Sequence, residues 1–449
     1  MAERQEFDFI VIGAGSAGCV LANRLSDGGQ HRVLLLEAGG SHRHPLVTVP
    51  AGFGELYYNS RFNWGLETDA DPGIADRTDY WPLGKVLGGS SSINGMVYIR
   101  GHRQDYDDWA ALGNPGWSFD EVLPYFKRSE DNDLGENEYH GGTGPWKISS
   151  ILGKEEESTR LALASARAYG LEHTDDFNGE QNEGAGLYQF SFRDGKRSST
   201  ASAFLQPARR RRNLTVSTKT LATRVLFEGR RAAGVEYRHR GKLLTAWARR
   251  EVIVSAGAVH SPAVLQRSGI GPGALLQQLG IPVVLDSPAV GENLQDHCYT
   301  GIIYELDMPT ISDELNSPLG IVNQGLRYVL GGRRGTLSMA INQGGAFVRT
   351  RPEEQRPDSQ LYFFPMSFRL HEGRFRKSVR VDRFSGMTFN ASPCRPESRG
   401  HVRISTPDAD DAPTIQPNYL STEGDVRMMV ESLKMCDAIA SLPPFADRV

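Results

Sequence analysis

The chain has 449 residues, 39% of them hydrophobic, with 49 glycines, 24 prolines and a formal net charge of −4. That length suggests two or three domains, or one continuous α/β body, with enough apolar material for a sizeable core. The small negative charge excludes a dominant nucleic-acid surface, and no apolar run reaches the ~18 residues of a membrane-spanning helix.

The N-terminal stretch MAERQEFDFIVIGAG lacks the basic start and small-residue cleavage site of a secretory signal. Residues 7–12 (FDFIVI) read as a buried parallel strand. GAGSAG follows, with Gly13, Gly15 and Gly18 in G-x-G-x-x-G spacing, and residues 16–26 have helix-like composition. Residues 32–36 (RVLLL) form a second strand, which Glu37 ends. A lone glycine fingerprint is weak, but here strand, glycines, helix, second strand and terminal acid come in order. Gly13 permits the tight turn, Gly15 lets backbone approach a pyrophosphate, and Gly18 lets helix and strand pack closely. The helix N-terminus offers free N–H groups to the phosphates. A carboxylate at Glu37 accepts from ribose hydroxyls and argues against a 2′-phosphate. A second match, Gly269, Gly271 and Ala274, is read as false, because no strand leads into it and Pro272 interrupts it.

After an irregular excursion of about 40 residues comes GKVLGGSSSINGMVYIRG, from Gly84 to Gly101. Its Gly88-Gly89-Ser90-Ser91-Ser92 run offers N–H groups and hydroxyls with little bulk, which suits close approach to a flat ring or a phosphate. DYDDW (Asp105–Trp109) reads as a helix start, and the tracts 131–146 and 307–320 as polar loops. Arg209–Arg212 read as a solvated turn before the strand 214–218, and 222–238 as a hairpin turning at Glu228-Gly229. Residues 251–255 lead into a helix with Ser261 as N-cap and Pro262 at its first position, ending near Ser268. GENLQDH occupies 291–297, and a further helix is expected over 424–441. Cys19, Cys298, Cys394 and Cys436 lie far apart without metal-ligand spacing, as expected of reduced thiols.

On the N-terminal βαβ, GKVLGGSSSINGMVYIRG, GAVHSPAVLQRSGIG and GENLQDH, the chain resembles the glucose–methanol–choline (GMC) family of flavin oxidoreductases. Within it, the branch of bacterial choline dehydrogenases and related FAD-dependent alcohol dehydrogenases is most similar. The resemblance implies an α/β fold: a doubly wound FAD-binding domain, and a substrate domain on an antiparallel sheet flanked by helices. The expected division is 1–150 and 190–300 for FAD, 151–189 and 301–449 for substrate. It implies Gly13, Gly15, Ser16, Ala17 and Gly18 at the diphosphate and Glu37 at the adenosine ribose, with Ala38 and Val86 beside the cofactor. Gly88, Gly89, Ser92, Asn94, Gly95, Met96 and Val97 would follow the isoalloxazine and ribityl chain. Val225 would touch the adenine through its backbone. Ala256, Gly257 and Trp64 would also line the cofactor. Some relatives attach FAD to a histidine where Ile93 stands, so FAD is expected to be non-covalent here.

The implied reaction is oxidation of an alcohol CH–OH to an aldehyde by hydride transfer to flavin N5. The partners are a small-molecule alcohol and an electron acceptor (quinone, carrier or oxygen), with no nucleic acid. A homodimer stays open, as does peripheral membrane association of a cytoplasmic protein. The family's C-terminal histidine has no counterpart among the eleven histidines. The catalytic residue is therefore unassigned, with His260 and His297 read as structural. The expectation is a truncated form with little or no alcohol-oxidising activity. A non-catalytic flavin protein, a lyase or oxidase of the same fold, and an NAD-dependent dehydrogenase stay as alternatives. Trp64, Trp81, Trp109 and Tyr98 could face a quaternary ammonium, with core packing the expectation for each.

Overall fold

The apolar run after Gln5 becomes strand β1 (Glu6–Ile12), whose last residues Ile10, Val11 and Ile12 are buried. The structure is a computed structural model describing residues 5–373 and 376–449; the first four residues of the stretch read for targeting signals lie outside it. From β1 the chain turns through the glycines into helix α1 (Ser16–Leu25) and strand β2 (Val33–Glu37), every residue of which is buried. Continuous apolar runs suit parallel strands covered on both faces.

The chain returns to this sheet much later as β3 (Leu214–Thr218), β4 (Thr220–Glu228), β5 (Arg231–His239) and β6 (Lys242–Val254). The strand order is β3-β2-β1-β6-β5-β4. β3, β2, β1 and β6 run parallel, whereas β6, β5 and β4 form an antiparallel meander. The turn between β4 and β5 is made by Gly229 at φ 61°, at the expected place. The ends of β1, β2 and β6 share one edge, and the glycine turn sits there.

A second, five-stranded antiparallel sheet takes Thr300–Glu305, Gly386–Pro393, Ser359–Phe364, Gly344–Val348 and Gly184–Leu187 in that spatial order. Every other residue of Ser359–Phe364 is buried, the period of a sheet with one covered face. That face is covered by the helices Glu157–Ala168 and Glu423–Ala440, with Ala162, Ala166, Phe363, Phe389, Met429 and Phe445 between them. The fold class is thus a doubly wound nucleotide-type sheet joined to an antiparallel sheet backed by helices. Among the described residues no helix is long and apolar enough to cross a membrane.

Two local expectations are corrected. The helix after β6, α2 (Gly257–Arg267), begins four residues before Ser261, with Ala256 as its N-cap. Ser261 lies inside the helix and its Oγ accepts from the Ala256 N–H at 3.1 Å. Gly257 at φ 82° turns the chain directly from strand to helix, and this outweighs the Ser-Pro start signal. The tract 307–320 is not all loop. It holds a short helix, Ile311–Leu315, capped by Thr310, and the first residues of helix α3 (Pro318–Leu330).

Candidate functional site

The glycines of the first turn are needed for different reasons. At Gly13 a Cβ would lie 2.6 Å from the Ser255 carbonyl oxygen, and at Gly18 it would lie 1.9 Å from the Gly13 oxygen. Both must be glycine for the turn to pack against β6 and α1. Gly15 differs: its nearest neighbour to a Cβ is 4.0 Å away, and the residue lines an open cleft. Nothing in the protein itself requires glycine there. Gly15 is also the N-cap of α1 without a side-chain capping bond, which leaves the first-turn N–H groups for a ligand.

Glu37 closes the turn. Its carboxylate accepts from the Ala14 N–H at 2.9 Å and the Gly39 N–H at 2.7 Å. Burial pushes its pKa up to about 7, against the two N–H groups and the charge of Lys85. Two amides fill only part of the acceptor capacity of a carboxylate.

The serine-rich stretch docks on this turn. The Gly88 N–H donates to the Ala14 carbonyl at 2.7 Å, and a Cβ on Gly89 would come within 2.8 Å of the Gly15 Cα. Gly88 and Gly89 have φ of 92° and 54°, conformations that favour glycine. The Ser91 and Ser92 hydroxyls donate to the Gly88 and Leu87 carbonyls. They hold the turn rather than face a ligand.

Together these elements wall a cleft of about 1150 Å³. Of the residues singled out in the sequence, Gly13, Gly15, Ser16, Ala17, Glu37, Ala38, Trp64, Gly89, Ala256 and Gly257 line it. Gly18, Val86, Ser92 and Met96 are buried away from its surface. Gly88 stands one residue behind the lining. Asn94 is exposed and accepts from Arg197, and the exposed Gly95 and half-buried Val97 follow it outside the lining. Val225 donates its N–H to Ser268, and the β4 residues at the cleft are instead Thr220, Leu221 and Ala222. Trp81 joins Trp64 in the cleft, whereas Trp109 is half exposed elsewhere and Tyr98 is buried against Trp146.

Apart from Trp81, the far end of the cleft was not foreseen. Tyr57, Asp79, Tyr80, Trp81, Asp296, Tyr299 and Tyr419 gather there from four separate parts of the chain. The Trp81 Nε1–H donates to the Tyr419 hydroxyl at 3.1 Å, and that hydroxyl donates to Asp296. The Asp79 carboxyl is raised by the cleft walls and further by the charge of Asp296. Two acids among aromatic rings make this end attractive to a cation. His260 packs on Trp64, with ring centroids 4.1 Å apart, and its buried Nε2 has no partner among the described residues. Burial, then Arg267 and Lys85, pull its pKa down to about 4. Lys85 already covers a face of Trp64, 4.3 Å from the ring centroid. His297 borders the opening, its Nε2 3.1 Å from the Cys394 carbonyl oxygen.

The glycine that only a ligand explains, the under-filled carboxylate and the orphaned imidazole nitrogen fit an extended dinucleotide with a flat ring system beyond it. A pocket for a single small molecule commonly measures roughly 300–1,000 Å³, and this cleft is larger.

Comparison with known proteins points the same way. The GMC oxidoreductase family models match residues 7–299 and 396–448. An oxygen-dependent choline dehydrogenase of Photobacterium profundum is 40% identical over 98% of this chain and 77% of its own length. The mitochondrial choline dehydrogenase of Mus musculus is 41% identical over 98% and 74%. Among solved structures, pyridoxine 4-oxidase from Mesorbium loti superposes with a TM-score of 0.86 at 30% identity, covering 98% of this chain and 82% of that one. A variant of the Aspergillus oryzae RIB40 formate oxidase gives 0.89 at 26% identity, covering 100% and 83%.

Proposed function

The chain belongs to the GMC oxidoreductase family, and from that membership we propose that it oxidises the CH–OH group of a primary alcohol of the choline type to an aldehyde. Its cofactor is FAD, as in its family; when bound, the oxidised flavin accepts a hydride from the alcohol carbon. The first-turn N–H groups of α1, with Gly13, Gly15, Ser16 and Ala17, would hold the diphosphate, and Glu37 the ribose. Ala256, Gly257, Gly89 and Trp64 would flank the rest of the cofactor. Ile93 has no nucleophilic atom, so the attachment would be non-covalent.

The observation that carries the substrate reading is the far end of the same cleft. Asp79 and Asp296 lie there among Tyr57, Tyr80, Trp81 and Tyr299. Ring faces and carboxylates together bind a quaternary ammonium without needing it to donate a hydrogen bond. Trp64 is not part of that set, because Lys85 occupies its face. His260 is neutral at pH 7, and its unpartnered Nε2 is buried beside the cleft. A base that weak takes little of a hydroxyl proton, so His260 is not assigned as the catalytic base.

The test is anaerobic mixing of the FAD-loaded protein with choline and with uncharged primary alcohols of similar size. Bleaching of the flavin band by choline at lower concentration than by its uncharged analogues is the expected result, and it should be slow because no histidine of the chain is assigned as the base. Bleaching by neither alcohol class overturns the reading, and preference for the uncharged alcohol overturns its cationic part.

A further inference from the structure

Helix α3 is turned inside out. Leu319, Val322, Leu326, Val329 and Leu330 are 53–80% exposed. At 100° per residue these five positions fall in one stripe roughly 100° wide. The inward side carries small and polar groups instead. Gly320 and Gln324 face the body there, with Gln324 Nε2 donating to Glu314 at 2.7 Å. Tyr328 donates its hydroxyl to the Gly195 carbonyl at 2.8 Å. A helix of a soluble domain normally buries its apolar stripe. Here polar bonds moor the helix and the apolar stripe is presented outward.

The surroundings are basic. Arg327, Arg333 and Arg334 are exposed at the end of the stripe, and no Asp or Glu occurs from Leu315 to Pro352. Elsewhere on the surface, strand Phe368–Gly373 pairs with Arg376–Val381, and Phe368 and Val381 pack on the cluster of Ile311, Ile341 and Met366. Leu370 of this hairpin reaches the cleft lining.

We propose that the outward stripe of α3 and its flanking arginines dock the protein on the surface of an anionic lipid bilayer. An apolar stripe bordered by arginines is the pattern of an interfacial helix, with side chains entering the acyl boundary and guanidinium groups at the headgroups. A second copy fits less well. A two-fold contact would set the same patch against itself and bring arginines together without acids to pair them.

The test is co-sedimentation of the flavin-loaded protein with vesicles of phosphatidylcholine alone or mixed with phosphatidylglycerol. Binding to the mixed vesicles at least tenfold stronger than to the neutral ones, weakened by salt, is expected. The double variant Val322→Asp, Leu326→Asp should lower it at least tenfold, and Arg333→Glu with Arg334→Glu should remove its salt dependence. All four side chains are exposed, so the flavin spectrum should be unchanged. No sedimentation with anionic vesicles, or binding indifferent to the apolar substitutions, overturns the proposal. So does light scattering that shows a dimer dissolved by the same substitutions. A longer natural form of the chain that no longer binds vesicles would show that its own added segment covers the stripe, and would also overturn it.

Discussion

Glu37 and Glu130 are both buried, 6% and 0% exposed, yet their surroundings push them in opposite directions. Burial would raise the Glu130 carboxyl, but His140 and Arg100, each 2.8 Å from one oxygen, and the Gly141 N–H hold it below the usual range. The second nitrogen of His140 is 2.7 Å from Asp176. Three donors of its own chain, two of them on cationic side chains, converge on one Glu130 oxygen. Among the described residues Glu37 has two backbone amides and no cation bonded to it, and burial in the cleft wall holds its pKa up to about 7. The difference is one of charge and place: Arg100 and His140 compensate Glu130 in the interior, whereas Glu37 faces a cleft with only neutral amides bonded to it.

The comparison can be broken from either side. Glu130→Ala would strand Arg100 and His140 in the interior and should cost about 3–5 kcal/mol of stability by thermal or denaturant unfolding. Flavin content per folded molecule should not change. Gly15→Val should do the reverse, because a side chain there meets only ligand space. FAD affinity should fall at least a hundredfold, about 3 kcal/mol, while the melting temperature of the FAD-free protein stays close to that of the parent. Gly18→Val, with its Cβ driven into the Gly13 oxygen, should fail to fold at all. Glu37→Gln keeps the shape but exchanges a charged acceptor for a neutral one. FAD titration should show binding weakened by roughly ten- to a hundredfold, the worth of a hydrogen bond to a charged group.

The smallest effect is on pH. Burial lowers the His140 imidazole, but its bonds to Asp176 and Glu130 prevail and hold it at about 9. The folded state therefore binds a proton that the unfolded chain releases near pH 6.5. This stabilisation is complete below about 6.5 and is lost as pH rises through about 9. His140→Gln should remove the slope in that interval, measured as unfolding midpoints against pH.

The nucleotide end was legible because each of its signals is local. The apolar runs, the spacing of Gly13, Gly15 and Gly18, and Glu37 nineteen residues on all fall within one βαβ unit. The start of α2 was misread because Ser261-Pro262 is a strong local signal, whereas the turn at Gly257 depends on packing. The far end of the cleft was not legible. Trp81, Asp296 and Tyr419 are bonded to one another, yet more than three hundred residues separate Trp81 from Tyr419. Only the fold brings them together. Helix α3 escaped for another reason: Gly320, Gly325 and Pro318 weaken its helical pattern, and its apolar residues face away from the core that periodicity is used to locate.

The most direct test of the account is the pH dependence of FAD affinity. Ribose hydroxyls donating to Glu37 favour its ionised form, so binding must expel the proton that the free protein holds up to about pH 7. Affinity should rise from about pH 5 to 7, by no more than tenfold per unit, and then level off, while Glu37→Gln should show no such rise. An affinity for the parent protein that is flat or falling over that interval would contradict the assignment of this carboxylate to the cofactor.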